Sequence, residues 1–157
     1  MKRLSQVRFQ VITLVMNILL AVLLMTLGYL VAPLLFSTLE TKIAGDLAGH
    51  LFVFSGWTLV TVLSLWLGWS RFKQYRSPYV LVYYLTLFVM LLLLLIVSPW
   101  MAEIKQNYPA GITRESIEWR LFASLHGIYQ LGYLIVIIVL FFNAWQSWSE
   151  IRRSLSK

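Results

Sequence analysis

Three side chains in this sequence have the types and spacing for chemistry: His50, His126 and Asp46. Neutral imidazole is the commonest metal ligand and titrates near neutral pH. Asp46 precedes His50 by four positions and Gln130 follows His126 by four, so on helices each pair shares a face. With Trp69 and Trp145 as boundaries, a count of roughly 20 residues back along each segment reaches His50 and His126. Both imidazoles are expected at one depth, near the far edge of a membrane. Ala123, Gly127 and Gln130 sit beside His126, and Gly45 and Gly49 beside Asp46 and His50. Small and polar residues in a span prefer protein to lipid, so both histidines are expected to point inward. Such a pair offers axial ligands to a heme b or, with Asp46, ligands to a divalent metal. The bland alternative stays open: histidines at an edge reach headgroup water, and an Asp-x-x-x-His pair can satisfy itself.

Other chemistry is thinly represented. With no cysteine, the chain lacks disulfides, thiolate ligands and cysteine nucleophiles. It has no Gly-rich phosphate loop and no Gly-x-Ser-x-Gly elbow. No enzyme activity and no cofactor are expected, with heme b or a divalent metal as the alternative.

The elements that must position these residues are plain. Charge-free runs extend over Phe9–Leu39, Leu47–Ser70, Ser77–Ala102 and Leu121–Ser149, with 31, 24, 26 and 29 residues. Crossing about 30 Å of hydrocarbon takes roughly 20 apolar residues in a helix, so each run can span a bilayer. A composition 60% hydrophobic and 12% charged agrees. The expected fold is all-α, a four-helix transmembrane bundle forming one domain over 1–157, with spans near 9–32, 44–69, 78–101 and 119–146. Basic residues precede the first apolar run, as in a secretory signal. The run is too long for one, and Pro33 and Phe36 occupy positions where a cleavage site needs small residues. Pro33 is expected to end or bend this span.

Orientation follows the basic residues. Lys2, Arg3, Arg8, Arg71, Lys73, Arg76, Arg152, Arg153 and Lys157 fall on one side, and Lys42, Lys105, Arg114 and Arg120 on the other. Nine against four places both termini in the cytoplasm. The net charge of +7 is thereby a matter of topology, and no nucleic acid is expected as a partner. Tyr29, Trp100 and Trp119 suit one interfacial belt, and Trp69, Tyr75, Tyr79, Trp145 and Trp148 the other. Tyr108-Pro109-Ala110-Gly111 reads as a turn, and the stretch from Thr113 as a short interfacial helix leading into the fourth span.

Gly45 and Gly49 form a Gly-x-x-x-Gly pair flanked by Ala44 and Ala48, with Ala123 and Gly127 as a counterpart on the fourth span. This spacing lets helix backbones approach closely, within the bundle or between copies in a homo-oligomer. Asn17, Asn143, Ser55, Thr58 and Thr61 are expected to make interhelical hydrogen bonds rather than line a pore.

The segment Pro33-x-x-Phe36-x-x-Leu39, followed by Ala44-Gly45-x-x-x-Gly49-x-Leu51-Phe52, resembles the transmembrane protein 205-like family, whose bacterial members form domain of unknown function 4149. Phe122-x-x-Leu125-His126-Gly127 resembles that family's histidine-containing motif in its last span. The resemblance implies a small four-helix membrane bundle and supplies no reaction. The expected function is a non-enzymatic structural, accessory or small-ligand-binding role in the bacterial inner membrane. The alternatives are a heme- or metal-binding protein using His50 and His126, and an oligomeric transport or permeation unit.

Overall fold

A computed structural model describes residues 2–75 and 79–156, with side chains from Leu4 onward. Of the residues discussed above, Arg76, Ser77, Pro78 and Lys157, and the side chains of Lys2 and Arg3, lie outside this description. Six α-helices follow in order: α1 (Lys2–Met25), α2 (Ala32–Thr38), α3 (Thr41–Phe72), α4 (Val80–Leu92), α5 (Ser98–Gln106) and α6 (Trp119–Leu155). A wide π-helical turn, Thr26–Val31, fuses α1 to α2, and a second, Leu93–Val97, fuses α4 to α5. The described residues thereby form four continuous helical stretches, Leu4–Thr38, Thr41–Phe72, Val80–Gln106 and Trp119–Leu155, each long and apolar enough to cross a membrane. The stretches alternate in direction. The end with the start of α1, the end of α6 and residues 73–75 is termed the basic end below.

Apolar residues cover the outside and neutral polar ones lie within. Leu19, Leu30, Phe54, Leu65, Leu81 and Ile138 are exposed, whereas Gln10, Thr13, Asn17, Ser55, Ser70, Thr86, Asn143 and Ser147 are buried. In water this pattern would be costly; in hydrocarbon, lipid solvates the exposed leucines and the polar groups need protein partners.

Pro33 does not end the first span. Proline lacks a donor and its ring clashes with the carbonyl four residues upstream. The wide turn before it absorbs both problems, since Ala32 N–H bonds back five residues to Leu27 O. Pro99 follows the second wide turn in the same way, with Ser98 N–H bonded to Leu93 O. The helix ends instead at Leu39, which is extended at φ −117° and ψ 159°.

α3 ends in a Schellman arrangement. Gln74 takes φ 54°, and the N–H groups of Gln74 and Tyr75 bond to Arg71 O and Ser70 O at 3.1 and 3.0 Å. This turn lays Tyr75 on Phe9 of α1, with ring centroids 4.4 Å apart. Trp66 and Trp69 contact the same phenylalanine at 5.6 Å. At the other end, Gly111 N–H bonds Tyr108 O at 2.9 Å, closing the expected turn. The interfacial helix expected from Thr113 is absent there: residues 113–118 form turns in which Thr113 N–H bonds Ser116 Oγ, and α6 begins at Trp119.

α1 packs most extensively on α6, and both wide turns bear on one level of that helix, at Tyr133 and Gly132. A Cβ at Gly28 would lie 3.0 Å from the Tyr133 ring, and one at Gly132 would lie 3.1 Å from Leu93. At Gly56 of α3 it would meet Leu94 at 2.8 Å. These three glycines make the close approaches of the bundle.

Candidate functional site

The expected site at the end opposite the termini comes apart on inspection. The buried face of α3 runs through Ala44, Ala48, Phe52 and Ser55. His50 lies midway between Ala48 and Phe52 in sequence, and two steps of roughly 100° turn it to the opposite side. It is exposed, as is His126, which adjoins buried Leu125 and stacks on Phe122 with ring centroids 6.2 Å apart. The expectation that both histidines point inward is therefore corrected. The inward positions go to the methyl of Ala48 and the rings of Phe52 and Tyr129, at i−2, i+2 and i+3. Their similar level is supported, because Phe52 packs on both Tyr129 and Tyr133 at 5.8 and 4.9 Å.

Asp46 forms an ion pair with Lys105 of α5. Its carboxylate thus links the first hairpin to the second. Among the described residues, no three His, Asp or Glu side chains gather as a metal-holding group.

The small-residue pair also has a different role from the one its spacing implied. Ala44 and Ala48 are buried. Gly45 faces the Phe36 ring at an ordinary 3.8 Å, and nothing lies within 4 Å of a Cβ at Gly49 or Gly127. Thus Pro33, Phe36, Leu39, Ala44, Gly45 and Phe52 build the corner of the first hairpin: the wide turn carries the chain past Pro33, Phe36 folds over Gly45, and Phe52 reaches Gly28.

Two polar layers, little visible in the spacing, hold the interior. In the first, Asn17 Nδ2 donates to Tyr83 OH at 2.9 Å and to Thr13 O at 2.7 Å. Trp66 Nε1 donates to Thr13 Oγ1 at 3.0 Å, and that hydroxyl donates to Phe9 O at 2.9 Å. Three of the four spans are tied here. In the second, Ser55 Oγ and Tyr133 OH lie 3.0 Å apart, and Tyr133 OH is 3.3 Å from Leu24 O. Between the layers the core is mainly apolar, filled by Ala21, Leu59, Leu63, Met90, Val136 and Leu140, with the Thr86 hydroxyl bonded to Val82 O of its own helix. Asn17 and Ser55 were legible as interhelical hydrogen bonders. Their tyrosine and tryptophan partners read as ordinary span residues, although Tyr129 and Tyr133, four apart in an otherwise aliphatic run, gave a signal. Thr58 is a different case: half-buried, it bonds Phe54 O of its own helix, 2.9 Å away.

The fold and its inverted polarity define a multi-pass, four-helix membrane protein. Residues 15–109, more than half of the chain, match the family model described as Domain of unknown function (DUF4149), and the chain belongs to that family. The matched range includes the hairpin corner from Pro33 to Phe52 and ends before His126. No curated protein and no solved structure matches the chain.

Proposed function

We propose that the chain is a non-enzymatic structural or accessory bundle of a bacterial cytoplasmic membrane, with both termini cytoplasmic. The observation that carries this reading is the composition of the core. All of its buried polar side chains are neutral amides and hydroxyls, and every described Asp, Glu, His, Lys and Arg lies outside it. Acid–base and metal chemistry draw on ionisable groups held in a shielded place, whereas a scaffold needs only paired neutral ones. Orientation rests on the excess of Lys and Arg at the termini and second loop. Contact with a second copy is supported by Gly49 and Gly127, whose small, open surfaces face outward.

The test is purification from membranes in mild detergent without added ligand, followed by absorbance and elemental analysis. The reading expects colourless protein without stoichiometric metal, and a His50→Ala, His126→Ala variant with unchanged yield and melting temperature. A Soret band, or one metal per chain that the double variant loses, would overturn it in favour of a heme or metal protein.

A further inference from the structure

The seams of α6 fix which residues share a level. Gly28 lies against Tyr133. Because α1 and α6 run antiparallel, eleven residues back from Gly28, at Asn17, corresponds to eleven on from Tyr133, at Ala144. On the other seam, Leu93 lies against Gly132, and Tyr79 OH donates to Gln146 Oε1 at 3.0 Å. Counting back to Tyr83 there corresponds to Phe142 on α6. Asn143 falls between the two positions, level with the bonded pair of Asn17 and Tyr83. Three neutral polar groups from three helices thus meet at one height, about 13 Å along the axis from Arg8.

Their hydrogen bonding is incomplete. Asn17 and Asn143 are 0% and 1% exposed. Asn17 Oδ1, Asn143 Nδ2 and Asn143 Oδ1 have no partner among the described residues. No lipid or bulk solvent reaches these atoms, and a buried amide without partners is strongly disfavoured in an apolar surround. The unmet needs are of both kinds: two carbonyl oxygens seek donors and one NH2 group seeks an acceptor. A cation would serve only the oxygens and an anion only the NH2. Water serves both, and bridging buried polar groups is its usual role in protein interiors. Small side chains, Ala21 and Ala144, flank the level. The buried polar groups around this level are uneven: away from the basic end, the one turn beyond Tyr83 adds Thr86, whose hydroxyl is already bonded to Val82 O at 2.8 Å. Toward the basic end, the buried polar residues Thr13, Gln10 and Ser147 continue for one to two turns. In the other direction, Leu24, Leu59, Met90, Val136 and Leu140 close the core.

We propose that the junction of α1, α4 and α6 is a buried hydration site, in which ordered water bridges Asn17 Oδ1 and the Asn143 amide and is supplied from the basic end. The proposal concerns the interior alone and stands whether or not the accessory role above is correct.

Water-edited solid-state NMR on side-chain-labelled protein in phosphatidylcholine–phosphatidylglycerol vesicles tests it. Polarisation should pass from water to Asn143 Nδ2 severalfold faster than to the backbone amide of Leu140, one turn away. In Asn143→Leu, the enhanced transfer to Asn17 should be lost while backbone shifts of α1 and α6 are retained. If that variant does not fold, Asn143→Ser, which keeps a small polar group, should fold and keep part of the transfer. Transfer to Asn143 no faster than to Leu140, or a direct Asn17–Asn143 amide contact, would overturn the site.

Discussion

Substituting leucine at Gly28 and at Gly49 should separate close packing from mere glycine spacing. At Gly28 even the first added atom would lie 3.0 Å from Tyr133 Cε1 and 3.4 Å from Phe52. The tyrosine ring is poorly placed to yield. Its hydroxyl is held by Ser55 at 3.0 Å and lies 3.3 Å from Leu24 O, and the edge of Phe52 meets it at a centroid distance of 4.9 Å. Overpacking a filled core costs about 1–3 kcal/mol. Turning Tyr133 aside would also break an interhelical hydrogen bond worth roughly 0.6 kcal/mol in membrane proteins. Gly28→Leu should therefore lose about 1.5–3.5 kcal/mol, roughly a factor of 10 to 400 in the folding equilibrium. At Gly49 nothing lies within 4 Å in the single chain, and in the monomer relief from glycine's conformational entropy favours the variant by up to about 1 kcal/mol. Reversible unfolding in mixed micelles, followed by tryptophan fluorescence, measures both. If Gly28→Leu matches wild type while Gly49→Leu is destabilised, the assignment of the close contacts is wrong.

Replacing Lys105 by Met should cost only about 0.2–1 kcal/mol, because the pair with Asp46 is partly exposed and such pairs contribute little; high salt should shrink the difference in the same unfolding assay. Gln74→Gly should stabilise by roughly 1 kcal/mol, since Gln74 holds φ 54° at a helix end where glycine carries no steric penalty. Reporter fusions at Lys157 and within residues 106–111 should report opposite sides of the membrane, the C-terminus on the cytoplasmic side; a periplasmic C-terminus would refute the proposed orientation.

The four spans were legible because charge is excluded from hydrocarbon whatever a helix packs against. Facing was less so. His50 was placed near the level of His126, but the sequence holds no unambiguous stripe near it: Ala44, Ala48 and Phe52 define the buried side, and Gly45 and Gly49 compete with them one position later. Small size marked both sets, and only packing distinguishes them. Asp46 shows a second limit. A helix periodicity reveals partners at i+4, such as His50, whereas Lys105 is 59 positions away and reaches Asp46 only once the hairpins dock. Pro33 shows a third: its local chemistry opposes a helix, and a wide turn upstream reconciles the two without leaving a trace in residue type.

The two wide turns tie these observations together. Each occurs in a span that runs away from the basic end, and each precedes a proline, Pro33 or Pro99. The spans that run back, α3 and α6, are uninterrupted. An added residue in a helical turn shifts every following side chain round the axis by roughly 100°. Here the turns themselves make the contacts, Gly28 against Tyr133 and Leu93 and Leu94 against Gly132 and Gly56, all within one layer, and the shift sets the facing of α2 and α5 beyond them. Phe52, within the range that matches the family, joins the layer at Gly28, and α6 supplies the surface both turns press upon. A chain that kept these glycines but lost its prolines would have no steric reason to widen either turn. Its side chains beyond residues 26 and 93 would then face the wrong neighbours. The prolines thus act on packing at a distance, by making the wide turn the less strained backbone.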